Sequence, residues 1–179
     1  MNLSPGTYEL QLRNAAKAQT QGLEASLKEL VTEHLKLGAN IGLLNARFTS
    51  FPSGLDGRLD AAGKHLPEAP DMSISVTVNY TIPAPSLDGS FELDGEDSYR
   101  SKSSSEVNID PTVFGIDSRN IVNARMSYIN DHHHLQISLF ATNLFNDQYI
   151  AIRGRDFLGN GLITRGDPQM IGLQARYDF

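Results

Sequence analysis

At 179 residues, the chain has the length of one domain with a sizeable core, and 40% of its residues are hydrophobic. Its net charge of −6 excludes a nucleic-acid partner, which needs a basic patch. The absence of cysteine excludes a disulfide framework and thiolate chemistry.

The N-terminal MNLSPGTYEL has neither a basic n-region nor an apolar core, so no signal peptide is visible there. No run approaches the ~20 apolar residues of a membrane helix. The chain reads as a piece of something larger. From Tyr8 to Leu30 a long segment with few breakers alternates in its lower half, through Gly22-Leu23-Glu24-Ala25-Ser26-Leu27. It fits a strand; its Ala, Lys, Gln, Glu and Leu also suit a helix. Thr32 to His34 is a short polar turn. From Leu35 to Phe48, Leu35, Leu37, Ala39, Ile41 and Leu43 alternate with Lys36, Gly38, Asn40 and Gly42, which predicts a strand with one apolar face. Ser50 to Asp71 carries repeated Gly and Pro and reads as a loop.

Met72 to Ile82 is the clearest strand. Met72, Ile74, Val76, Val78, Tyr80 and Ile82 face one way and Ser73, Ser75, Thr77, Asn79 and Thr81 the other. Pro83-Ala84-Pro85 is expected to end it, before a turn at Asp88-Gly89. Phe91, Leu93 and Tyr99 mark a more polar strand running to Arg100, followed by a Ser-rich loop to Arg119. Val122, Ala124, Met126 and Tyr128 form the next apolar face. After a turn at Asn130 to His134, Leu135, Ile137, Leu139 and Ala141 repeat the pattern. The chain ends on Ile171, Leu173, Ala175, Tyr177 and Phe179 against Gly172, Gln174, Arg176 and Asp178.

The fold class expected is all-β: an antiparallel, up-and-down transmembrane β-barrel segment of about seven strands, too few to close. Short connections at Thr32–His34, Pro83–Gly89 and Asn130–His134 alternate with long ones at Ser50–Asp71, Ser101–Arg119 and Gly154–Gln169. Outer-membrane barrels have this asymmetry, with short turns on the periplasmic side, which places the C-terminus there. Tyr80, Phe91, Tyr128, Tyr177 and Phe179 fall at the short-turn end of the apolar face, like one aromatic girdle of a bilayer-spanning barrel. The opposite face carries Lys36, Asn40, Ser75, Thr77, Asn79, Glu92, Asp94, Arg125, Gln136, Gln174 and Arg176, and must meet water or a polar plug. An odd strand count cannot close an up-and-down barrel without a parallel seam, and the smallest single-chain barrels have ~8 strands.

Asn143-Leu144-Phe145, then Tyr149, then Gly166 and Pro168, then the terminal Tyr177-Asp178-Phe179, resemble the C-terminal end of a TonB-dependent outer-membrane receptor. Asn14 to Ala18 with Gly22 to Glu24, and Gly63 to Pro70, resemble other parts of the same barrel. The resemblance implies that residues 1–179 are the C-terminal portion of such a barrel, with the plug domain and the first part of the barrel absent. It implies transport of a scarce nutrient, such as a ferric siderophore, cobalamin or a glycan, across a Gram-negative outer membrane. The partners implied are outer-membrane lipid, the rest of the barrel and plug, the TonB complex acting through the missing N-terminal part, and the barrel-insertion machinery. Tyr177 and Phe179 resemble the assembly signal that machinery reads. One departure is Gln169, where the family usually has arginine after the Gly-x-Pro; its loss removes a charge pair at the lumen rim.

Ligand contacts are expected from the long loops: Tyr99 and Arg100, and Arg153, Arg155, Asp156, Phe157 and Arg165. The plain alternative is that these charges solvate loop tips. No cofactor is called for and no metal site is expected. His132-His133-His134 are adjacent residues that cannot all face one point, and no second ligand cluster accompanies them. Arg165-Gly166-Asp167 reads as a loop exit and Asn79-Tyr80-Thr81 as a mid-strand accident. Gly159-Asn160-Gly161 opens no helix and is no phosphate loop. No nucleophile has a motif, so no enzyme is expected. The competing class is a soluble all-β binding module, or an inactive remnant.

Overall fold

The computed structural model describes residues 17–51, 61–107, 111–130, 132–156 and 158–178. Expectations placed on residues 8–16, on Phe157 and on Phe179 lie outside these. The strands are β1 (Lys17–Leu30), β2 (Leu35–Ser50), β3 (Met72–Ala84), β4 (Gly89–Arg100), β5 (Ser103–Ser104), β6 (Gly115–Ile116), β7 (Arg119–Asn130), β8 (Leu135–Thr142), β9 (Ile150–Arg155), β10 (Gly161–Arg165) and β11 (Met170–Tyr177). A one-turn helix, α1 (Pro111–Phe114), lies between β5 and β6.

Among the described residues, seven strands form one antiparallel sheet in the order β1-β2-β3-β4-β7-β8-β11, open at both edges. The smaller strands form two hairpins, β5 with β6 and β9 with β10. The segment that fitted strand or helix is strand wherever it is described, since β1 pairs with β2 along its whole length. β3 runs to Ala84, past the expected stop at Pro83. Thr81 donates its N–H to His34 on the β2 side. Pro83, two residues on, points its nitrogen to the same side, beyond the end of β2, so its missing N–H breaks no ladder bond. The chain then turns through a 3-10 segment at Pro85–Leu87, with Asp88 in the left-handed region at φ 53°.

The register aligns the periodicity of one strand with the next. Leu23 lies opposite Leu43, and Leu43 opposite Met72. Leu93 lies between Tyr80 and Met126, Met126 opposite Leu139, and Leu139 opposite Leu173. Because directly opposed residues share a face, every apolar set falls on one side. That side is bare: Leu173 is 73% exposed and Leu23 64%. Side chains such as these belong in a soluble protein's core; here the buried apolar residues among those described are Ala46, Phe48, Ala61, Phe114 and Ile116, at the loop end of the sheet and in its connections.

The apolar band crosses the strands obliquely. Its upper edge starts level with Met72 at β1 and β2. At β11 it is Ile171, which is level, through Ala141, Ala124 and Gly95, with Val78, six residues further down β3. A tilt of strands against the band is what barrel walls show. It also accounts for Asp97, a carboxylate on the apolar face. Asp97 is level with Val76 and Val122, and the next outward residue on β7, Asn120, is polar, so the acid sits at the band's upper margin. At the lower margin Phe91 and Tyr128 lie directly opposite each other with ring centroids 5.4 Å apart. The Tyr128 hydroxyl donates to the Leu87 carbonyl, tying the ring to the turn.

The other face curls around a trough of 620 Å³ touched by residues from β1 to β8. Its polar groups pair across strands. Asn79 Nδ2 donates to Asp94 Oδ1 at 2.7 Å, and Arg125 Nη1 to Gln174 Oε1 at 3.0 Å. The Ser127 and Ser138 hydroxyls, each 1% exposed, share a hydrogen bond of 2.9 Å.

Candidate functional site: the loop end of the polar face

At the loop end of the sheet, three connections pack on one another. The segment after β2 folds back on its own strand. Gly63 N donates to Phe48 O at 2.7 Å, Leu66 N donates to Ala46 O at 3.0 Å, and Phe48 meets Phe51 edge-on at 5.0 Å. Glu68 N donates to Ser104 O, which joins this loop to the β5–β6 hairpin. Arg153 N donates to Ser105 Oγ at 2.8 Å, which joins that hairpin to β9.

The third connection is held by Asn143. Its φ of 49° turns the chain out of β8, a conformation asparagine tolerates better than most residues. Its side chain is buried and its hydrogen-bonding groups are used. Nδ2 donates to the carbonyls of Asp147 and Asp167, at 2.9 and 3.0 Å, and Oδ1 accepts from Asp147 N at 2.8 Å. One amide thus joins the exit of β8 to the entry of β11. Gly166 N donates to Tyr149 O, and a Cβ at Gly166 would enter the Tyr149 ring. The Arg119 guanidinium also lies over that ring, 4.8 Å from its centroid. Gln169 Nε2 donates to Leu144 O at 2.6 Å, so an uncharged amide closes the loop where the family usually carries arginine. Of the motif residues, Asn143, Leu144, Tyr149, Gly166 and the Asp167-Pro168-Gln169 stretch meet in this knot, while Phe145 points out, 76% exposed.

The ligand-contact candidates do not converge. Tyr99 and Arg100 are neighbours on β4 and lie on opposite faces, Tyr99 beside Ile74 on the apolar side and Arg100 on the polar side. The connection expected over Gly154–Gln169 is not plain loop: it contains β10 and the tip of the β9–β10 hairpin. Asp156 builds its tip: Oδ1 accepts from Leu158 N and Asn160 N, at 2.9 and 2.8 Å, and Oδ2 from Asn160 Nδ2 at 2.8 Å. These bonds, led by the Asn160 side chain, hold its carboxyl below the usual 3.8. Arg155 lies over the Phe114 ring at 5.5 Å, and Arg165 ends the exposed β10. Of the described members of the set, Arg100 alone lies on the polar face of the seven-stranded sheet, where it faces Arg119, a residue that no motif singles out. Tyr177 sits on the apolar face at the end of β11, opposite Leu135. Among the described residues no cluster of His, Cys, Asp and Glu could hold a metal ion.

Residues 2–144 match the family described as TonB dependent receptor-like, beta-barrel. The chain belongs to the TonB-dependent receptor family. The match ends at Leu144, so most of the terminal motif lies outside it. Solved structures share the fold over more of the chain than the family model covers. The ferric yersiniabactin uptake receptor FyuA from Yersinia pestis is similar over 93% of this chain, at 16% identity and a TM-score of 0.77. BauA, the ferric preacinetobactin receptor from Acinetobacter baumannii, is similar over 92%, at 18% identity and a TM-score of 0.68. The ferripyoverdine receptor of the outer membrane of Pseudomonas aeruginosa is similar over 90%, at 21% identity and a TM-score of 0.62. The chain spans 24%, 23% and 20% of those three chains. The fold is that of the receptor barrel wall, all-β, with a sheet that is not closed among the described residues.

Proposed function

We propose that this chain is the C-terminal part of the barrel wall of an outer-membrane receptor that imports a scarce nutrient, such as a ferric siderophore, with energy delivered through TonB. The observation that carries the reading is the unpartnered apolar face, continuous across seven strands and bounded by polar residues above and rings below. Lipid is the solvent that suits it, since backbone groups are satisfied between strands and the outward side chains are apolar. The polar face then lines a lumen, where the plug would sit. The open edges at β1 and β11 would pair with the remaining strands. The short turns and the C-terminus face the periplasm and the packed loops face outside. The terminal strand, with Tyr177 and Phe179, would be read by the barrel-insertion machinery. Nutrient contact falls to the loop end, with Arg100 the best placed of the residues named from sequence.

Two measurements test this. Cells relying on the full-length receptor should take up ferric siderophore, and uptake should stop when TonB is deleted; uptake indifferent to TonB would end the transport reading. A cysteine at Gly161 should label with an impermeant thiol reagent on intact cells, and one at Leu87 only after the outer membrane is opened. The reverse pattern would invert the topology.

A further inference from the structure

Arg100 and Arg119 are directly opposed on β4 and β7, both on the polar face. Like charges so placed repel each other. Neither forms an ion pair among the described residues. Arg119 is held on one side by the Tyr149 ring, which the Asn143 knot and Gly166 fix in turn. Both arginines line a cavity of 270 Å³ between the sheet and the loops, together with Ser101 and Ser103. Two carboxylates also line it. Asp117 faces Lys102 at 3.8 Å, which leaves Glu68 as the one acid of the cavity without an ion pair among the described residues. Further down the same wall the charge reverses, with Glu92, Asp94 and Glu96 in succession on β4.

We infer that Arg100 and Arg119 form an anion subsite for a compact polycarboxylate, the chemistry of a metal chelate built on carboxylate arms. This rests on the receptor reading above and narrows its ligand class, setting neutral cofactors and glycans aside. Each guanidinium presents paired N–H donors that match a carboxylate. A polyanion between them relieves the repulsion that the empty pair carries, and the cavity is the size of a small molecule. Arg119 meets the anion with its free edge, because its face is on Tyr149. Glu68 opposes binding, and its removal strengthens it. The acidic stretch below keeps the anion at the loop end until something else moves it.

The test uses citrate as the probe and the full-length receptor in detergent, titrated by calorimetry, with folding of every variant checked by heat-modifiable gel mobility. Citrate should bind the wild type and weaken as salt rises. Arg100→Gln and Arg119→Gln should each weaken it about tenfold or more, the loss of one charged hydrogen-bonding partner. Arg119→Lys should fall between, since it keeps charge but loses the fork and the stacking. Glu68→Gln should tighten binding. Arg47→Gln, whose guanidinium is already held by Asn45 and the Gly63 carbonyl, should leave it unchanged. No citrate binding to the folded wild type, or wild-type affinity retained in both arginine-to-glutamine variants, overturns the subsite. Citrate binding that survives while siderophore uptake proves independent of TonB overturns the transport reading and leaves the subsite standing.

Discussion

The wall and the loop end use opposite means to specify structure. In the wall, specificity is repetitive. Each strand alternates, the register keeps the alternation in phase, and few single side chains matter. In the loop end it is concentrated. One amide, Asn143, bonds to backbone 4 and 24 residues away, and one ring, Tyr149, meets both Gly166 and Arg119. The wall should therefore absorb single substitutions unless they violate a face, and the knot should not absorb them at all.

The largest expected effect violates a face. Val78 lies inside the band on the apolar side, between Leu37 and Gly95, so Val78→Arg should cost about 2–4 kcal/mol of insertion free energy, while Thr77→Arg, on the trough side, should be tolerated. Folded fraction of the full-length receptor in lipid reads both, and equal losses would remove the distinction between faces. Next, Gly166→Ala should force Tyr149 from its place, at about 1–3 kcal/mol for overpacking. The same variant should weaken heat-modifiability of the receptor; full retention would mean that the ring can move aside freely. Asn143→Ala leaves the Asp147 and Asp167 carbonyls without their donor and should cost about 1–3 kcal/mol, seen as faster amide exchange at Asp147. Asn79→Ala, in the wall, removes one partly exposed bond to Asp94 and should cost only about 1 kcal/mol. A wall variant that respects its face, such as Asn79→Ala, as costly as the knot variants would erase the contrast.

The smallest effect concerns the hairpin tip. The Asp156 carboxyl is held low by its turn bonds, so its contribution is present above the ordinary value of 3.8 and is lost as pH falls through the lowered one. Protection of the Leu158 and Asn160 amides, measured relative to the intrinsic exchange rate at each pH, should hold above the ordinary carboxylate range and be lost only in that acid window. Asp156→Asn should remove this pH dependence.

Period-two alternation made the wall legible, because a strand buried in nothing must still sort its side chains by solvent. Short and long connections were legible for the same reason, as breaks in the period. The β9–β10 hairpin was obscured by Gly154, Gly159 and Gly161, which read as loop, although the bonds of Asp156 turn them into a tip. Arg119 was invisible because its significance lies in a neighbour 19 residues earlier that only register supplies. Tyr99 and Arg100 were read together as adjacent residues, whereas adjacency on a strand guarantees separation. The terminal motif pointed to the family, but its physical content, a knot closed between distant carbonyls, needed coordinates.

The oblique course of the apolar band has a mechanical meaning. In a closed cylinder of tilted strands, girth and height are coupled through the stagger of the hydrogen-bond ladder. To widen, such a hoop must slide strands past one another, and each step of sliding turns oily side chains inward and breaks a full column of bonds. A wall wound like the one begun here is stiff against dilation, so whatever opens a path through it has to move within.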